Sequence, residues 1–299
     1  MVTGLKEEFN NSAADRIEGL MNRLRKVPEG QAVVTFIEFN KVDIQLLENP
    51  MYTASSGATI TNCKDGHYSY KNPKVYLKAS LTDDNLLQAM IHEVEHLNQH
   101  LSGVGNPDRI LSQEDCILFY RAAEADAQAT STDICWRLKQ AGDAGPWNEA
   151  GNVGYKEICD AYEKLVTTDP ASLEDGRARR AAFDAWFDRK GGLEYYNHAI
   201  INDMIPFLEK GREIFNQSNM KPGMLDDSWV DKLDGISNQP YLKLEGHLSL
   251  LHADKYRANI DAKPIGPQLP PTPKDDIRPS VAINPHHGAP GPQHGAPGF

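Results

Sequence analysis

Nowhere in its 299 residues does the chain carry an apolar run near the ~18 residues of a membrane-crossing helix, so neither a span nor a membrane partner is expected. Positive charge is in short supply: 31 Lys and Arg stand against 42 Asp and Glu, a net charge of −11. An acidic chain repels phosphate backbones, which argues against a general nucleic-acid binder. Cysteine is scarce too. Cys63, Cys116, Cys135 and Cys159 fit no zinc-knuckle or CxxC spacing, and reduced thiols in a cytosolic protein are expected. The opening MVTGLKEEFN has no basic stretch leading into an apolar one, so no Sec-type signal is expected. The reading is cytoplasmic, with export by a specialised secretion system left open.

Apolar residues make up 40% of the chain, enough for a real core in one large domain or two modest ones. Residues 12–26 read as a helix capped by Ser12, with Ile17, Leu20, Met21 and Leu24 on one stripe. GQAVVTFIEF (30–39) is rich in β-branched and aromatic residues and reads as a strand. Residues 50–72 suit a hairpin or an irregular loop, and PKVYLKAS (73–80) a strand with Val75 and Leu77 on one face. Thr82 caps a helix to about His100, and Ser112 a second one to near Gly142. Helices are expected at about 153–167, 172–189 (capped by Ser172), 192–216 and 241–257. This is an α+β pattern with a small sheet on its N-terminal side. From 262 to 299 the chain is rich in proline and glycine and repeats HGAPG. That composition predicts a disordered tail, with His286, His287 and His294 in solvent.

The chemistry concentrates in LLQAMIHEVEHLNQH (86–100). On a helix, His92 and His96 lie one turn apart on the same face and can aim both imidazoles at one ion. Zinc accepts imidazole nitrogen well. Glu93 sits roughly 100° round the helix, beside such an ion rather than on it, where a carboxylate can move a proton between water and a leaving amine. Asn85, Gln88, Ala89, His92, His96 and Gln99 share the polar or small face; Leu86, Leu87, Met90, Ile91, Val94, Leu97 and Leu101 form the back. The histidine face is expected to be open, as the floor of a cleft.

A catalytic zinc site takes three protein ligands. His100 lies two turns from His92, too far along the axis. The metzincin pattern fails, since Gln99 stands at its glycine position and Ser102 at its histidine position. The segment YRAAEADAQA (120–129) offers Glu124 and Asp126, roughly 200° apart round a helix, so only one can face the ion. Glu124 has the longer reach and is favoured. The alanines around it let two helices approach, and Arg121 and Gln128 are placed to orient its carboxylate.

HEVEH with Glu124 downstream in RAAEADAQA resembles the gluzincin branch of zinc metallopeptidases. It is most similar to a bacterial family assigned as metallopeptidases of unknown function, with an HExxH helix and a later EAxA-type helix. The resemblance covers about 30–145, with weaker traces in RRAAFDAWF and YYNHAIIND. It implies zinc held by His92, His96 and Glu124, with Glu93 as general base. It also implies a zincin-like fold: a small N-terminal sheet on the HExxH and glutamate helices over 1–145, then a helical lobe over 146–261 that completes the domain. Ala123 and Gln128 stand where the thermolysin-type second motif has Asn and Asp, so no partner is supplied for the outer nitrogen of His96.

A peptidase also needs a donor for the developing oxyanion. EYYNHAI (194–200) offers Tyr195, Tyr196 and His198, with Tyr196 and His198 favoured; Tyr120 is a further candidate. His247 and His252 read as structural. The expected function is zinc-dependent hydrolysis of protein or peptide substrates. Two other readings stand beside it. One is a non-catalytic scaffold with a stabilising metal. The other is a secreted effector protease whose tail meets a partner or export machinery.

Overall fold

Leu20, Met21 and Leu24 recur at helical spacing, and in the computed structural model of the chain all three are buried on one side of helix α1 (Val2–Leu24), with Ile17 half-buried beside them. The structure describes residues 2–48, 51–53, 59–61, 66–69, 73–104, 113–152, 154–189, 225–233, 236 and 240–258. The helix starts well before the expected Ser12. The next segment overturns an expectation, for residues 30–39 form no strand but the body of α2 (Pro28–Phe39). Composition points to β structure there. Yet Gly30, Val33, Val34 and Ile37 are buried in an i, i+3, i+4, i+7 order that a helix satisfies and a strand does not. Gln31, Thr35 and Glu38 are exposed. Pro28 opens the helix, where a missing N–H costs little.

Strand β1 (Asp43–Leu47) follows. Then come β2 (Met51–Thr53), β3 (Thr59–Thr61), β4 (Gly66–Ser69) and β5 (Lys74–Lys78). The central strand of the main sheet is β5, parallel to β1 on one side and antiparallel to β4 on the other. The β2 and β3 strands make a separate antiparallel pair within the 50–72 region. Val75 and Leu77 share one face of β5, as their alternation predicts, and both are fully buried.

This sheet packs against α3 (Asp83–Leu101). The helix starts as the sequence indicates: the Asn85 N–H donates to the Thr82 hydroxyl at 3.3 Å, and Asp83 and Asp84 sit in the first turn. Its apolar back is buried from Leu86 to Leu97, while Leu101 at the end is exposed. The chain then forms α4 (Gln113–Gln140), α5 (Gly145–Asn152), which the sequence did not signal, and α6 (Lys156–Thr168). Ser112 lies outside the described residues. The helix expected from Ser172 begins later, as α7 (Arg177–Asp188). Ser172 sits instead in a 3-10 turn at Pro170–Leu173, which the Asp169 carboxylate caps. Gly176 intervenes at φ 84°, a conformation that interrupts any helix running through it.

The helix expected at 241–257 is also overturned. The chain there makes turns and closes on one short helix, α9 (Asp254–Arg257), with another, α8 (Asp227–Val230), earlier in the chain. Arginines from other helices take its carbonyls. Arg180 donates to Leu242 O at 2.5 Å and Leu248 O at 2.6 Å; Arg121 donates to Tyr256 O at 3.0 Å and Ala258 O at 2.9 Å. The 192–216 and 262–299 segments lie outside the described residues. One hydrophobic cluster runs from Leu20 to Tyr256. Cys135 and Cys159 are buried free thiols. Burial pushes both up, Cys159 to about 12, which makes them inert. Cys63 and the Cys116 side chain are outside the described set. No described helix is long and apolar enough to cross a membrane.

Gly30 sits so close to α1 that a Cβ would strike the Leu24 carbonyl. Gly30→Ala is expected to destabilise the fold by roughly 1–3 kcal/mol, although alanine is the better helix former. The measurement is Tm by circular dichroism, and an undiminished Tm would contradict the tight α1–α2 approach.

Candidate metal centre

One side of α3 rests on the sheet and another on α4. The expectation of an open histidine face is corrected here: Gln88, His92, Glu93, His96 and Gln99 are all buried. The alanines of α4 account for this. Ala122, Ala123, Ala125, Ala127 and Ala129 are small, and small side chains let two helix axes come close. The polar face of α3 therefore closes against its neighbour.

His92 and His96 direct their Nε2 atoms at each other, 3.0 Å apart, with the rings edge to face at 89°. Glu124 reaches across from α4. Its Oε2 lies 3.5 Å from His92 Nε2 and its Oε1 3.3 Å from His96 Nε2. Among the described residues these three form the group able to hold a metal ion. A four-coordinate ion with bonds of ~2.0–2.1 Å keeps its donor atoms about 3.3 Å apart. The two Nε2 atoms are 3.0 Å apart and each lies 3.3 to 3.5 Å from a different oxygen of the Glu124 carboxylate, with one donor atom from each residue within 4.8 Å of the others, a spacing that side-chain adjustment can close round one ion. Two imidazoles and a carboxylate are also donor types that such an ion accepts.

The surroundings shift the proton affinities of the three groups unequally. Burial pushes His92 down, further than its hydrogen bond with Glu124 lifts it. Burial acts on His96 in the same sense. There the charge and hydrogen bond of Glu124, the charge of Glu93 and the bond to Gln99 win, and raise it to about 9. Burial favours a neutral Glu124, but the charge on His96 and bonds to both histidines hold it at about 2. A cation bound by His96 and Glu124 would therefore have to displace a proton from this buried pair. Glu93 follows His92 directly and is 1% exposed.

Asp126, left open as an alternative ligand, is turned to other partners. Its carboxylate accepts from Gln99 Nε2 at 2.7 Å and Tyr241 Oη at 2.6 Å, with Arg179 Nη2 at 3.4 Å. Burial and the charge of Glu95 raise it to about 7 against the pull of Arg179 and these bonds. The outer nitrogen of His96 also finds its partner, as Nδ1 lies 2.9 Å from Gln99 Oε1. The signal for Gln99 was present in its place three residues on, along the same face; Tyr241 and Arg179 had no local signal. Arg121 and Gln128, expected to orient Glu124, have partners away from it. Arg121 holds the carbonyls of Tyr256 and Ala258, and Gln128 donates to Thr132 Oγ1 at 3.4 Å. His100 is half-buried at the end of α3, outside the triangle. Tyr120 packs edge-on against Phe119. His247 and His252 lie in the turns of 240–258. Tyr195, Tyr196, His198 and the tail histidines fall outside the described residues.

Residues 8–228, more than half of the chain, match the model of a family described as "Putative metallopeptidase family (DUF6782)". No curated protein and no solved structure matches significantly.

Glu124→Gln removes the main influence raising His96. In metal-stripped protein, the His96 titration followed by NMR is expected to fall from about 9 toward the ordinary histidine value of ~6.5. A titration that stays put would dissociate the two groups.

Proposed function

The chain belongs to this family of putative metallopeptidases, and from that membership we propose that it is a zinc-dependent peptidase of the gluzincin type, in which Glu93 is the general base. The observation that carries the reading is the buried triangle of two Nε2 atoms and one carboxylate, spanning α3 and α4, with a second carboxylate next to it on the helix. His92, His96 and Glu124 hold the ion. When bound, zinc supplies Lewis acidity toward a peptide carbonyl and toward water.

Glu93 takes the proton of the attacking water and returns it to the leaving amine. Its place one residue after His92 supports this, because it borders the triangle without belonging to it. A donor for the oxyanion is proposed on sequence alone, from Tyr196 or His198. The substrate is a protein or peptide, and the net charge of −11 favours neutral or basic peptides over acidic ones. Deep burial of the whole site supports a second reading, a zincin-like scaffold with a purely structural metal, which cleaves nothing.

Two variants test the proposal. His92→Ala is expected to lose stoichiometric zinc by elemental analysis. Glu93→Gln is expected to keep zinc and lose peptide hydrolysis by about 10²–10⁴-fold, read by cleavage of a peptide library. Hydrolysis surviving in Glu93→Gln would sink the general-base role. Stoichiometric zinc with no cleavage by the wild type would select the scaffold reading.

A further inference from the structure

We propose that Gln99 is the positioning residue of this site: it fixes the ring and tautomer of His96, and a buried frame of Asp126, Tyr241 and Arg179 fixes Gln99. The inference rests on the metal-site reading above and adds to it the device that aims one ligand.

The argument starts from the Ala123 carbonyl. A backbone carbonyl only accepts hydrogen bonds, and it lies 2.9 Å from Gln99 Nε2. The same amide nitrogen lies 2.7 Å from Asp126 Oδ2. Both amide hydrogens are therefore engaged on the α4 side, and the amide oxygen must face His96, 2.9 Å from Nδ1. An amide oxygen is also only an acceptor, so His96 carries its hydrogen on Nδ1. A neutral imidazole in that tautomer presents a lone pair at Nε2, the atom at the corner of the triangle with His92 and Glu124. Gln99 thus selects the ligand form of His96 and holds its plane.

The second layer keeps the amide from turning. Asp126 is fully buried, and its other oxygen accepts from Tyr241 Oη at 2.6 Å, with Arg179 Nη2 at 3.4 Å. The Arg179 guanidinium stacks over the Tyr241 ring at 4.5 Å and also donates to Thr130 Oγ1. Four segments meet here: α3 gives Gln99, α4 Asp126, α7 Arg179, and the C-terminal turns Tyr241. The last enters from beyond residue 228, where the family match ends.

The test uses full-length Gln99→Met, Gln99→Glu and Tyr241→Phe beside the wild type. Zinc affinity is read by chelator competition, and the His96 Nδ1–H resonance is followed in zinc-loaded protein. Gln99→Met keeps the volume and loses every bond. It is expected to weaken zinc binding by about 10–100-fold and to lose the slowly exchanging Nδ1 proton. Gln99→Glu keeps the acceptor and is expected to bind more tightly than Gln99→Met. A merely structural role ranks the two the other way, since the glutamate sets a carboxylate against Asp126. Tyr241→Phe is expected to speed exchange of the Nδ1 proton, and serves if the Gln99 variants do not fold. Wild-type zinc binding with unchanged affinity and unchanged Nδ1–H exchange in the folded variants overturns the positioning role alone. A wild type that binds no zinc removes the metal-site reading, and this inference with it.

Discussion

Charge taken out of water has to be balanced where it sits, and the packing of α3 on α4 is built round that requirement. Glu93, Glu95, Glu124 and Asp126 are buried together with His92 and His96. Glu124 is answered by the histidines. Glu95, which looks like a neutral filler within HEVEH, accepts from Asn98 Nδ2 at 3.1 Å and from the Ile236 N–H at 3.2 Å. Arg179 serves Asp126 and Glu95 together. Burial works against its charge, while the fields of Tyr241, Asp126 and Glu95 hold it firmly protonated. The presence of α7, Ile236 and Tyr241 beside the site is thus an electrostatic necessity as much as a matter of apolar packing.

A single helix serves two environments. The back of α3 belongs to the apolar cluster that takes in Val75 and Leu77 from the sheet, and its front belongs to the polar seam with α4. Only the back obeys the usual rule that an amphipathic helix shows water its polar side. The front breaks that rule, and a local rule broken in an otherwise consistent fold is what a functional site is expected to look like.

What could be read from the sequence was local. Thr82 with the two aspartates, the alternation in β5 and the i, i+4 histidines each carry their cause within a few residues. The third corner of the triangle was favoured as Glu124, by the reach of its side chain and the small residues round it. The misreadings had distant or competing causes. Valine and phenylalanine content outvoted helical period in α2, although Gly30, Val33, Val34 and Ile37 held the correct answer. The 241–257 stretch has helical composition, but Arg121 and Arg180, remote in sequence, claim the carbonyls of Tyr256, Leu242 and Leu248 within it. Nothing near Asp126 announces that its hydroxyl donor is Tyr241. Such pairings are set by tertiary contact, which a pattern of neighbours does not record.

The reach of that last bond also sets an order of events. His92, His96 and Glu124 all precede Asp126 in the chain, whereas the Tyr241 hydroxyl comes 115 residues after it. Translation therefore supplies all three side chains well before Tyr241, so the buried frame round Asp126 closes only when the C-terminal turns are in place.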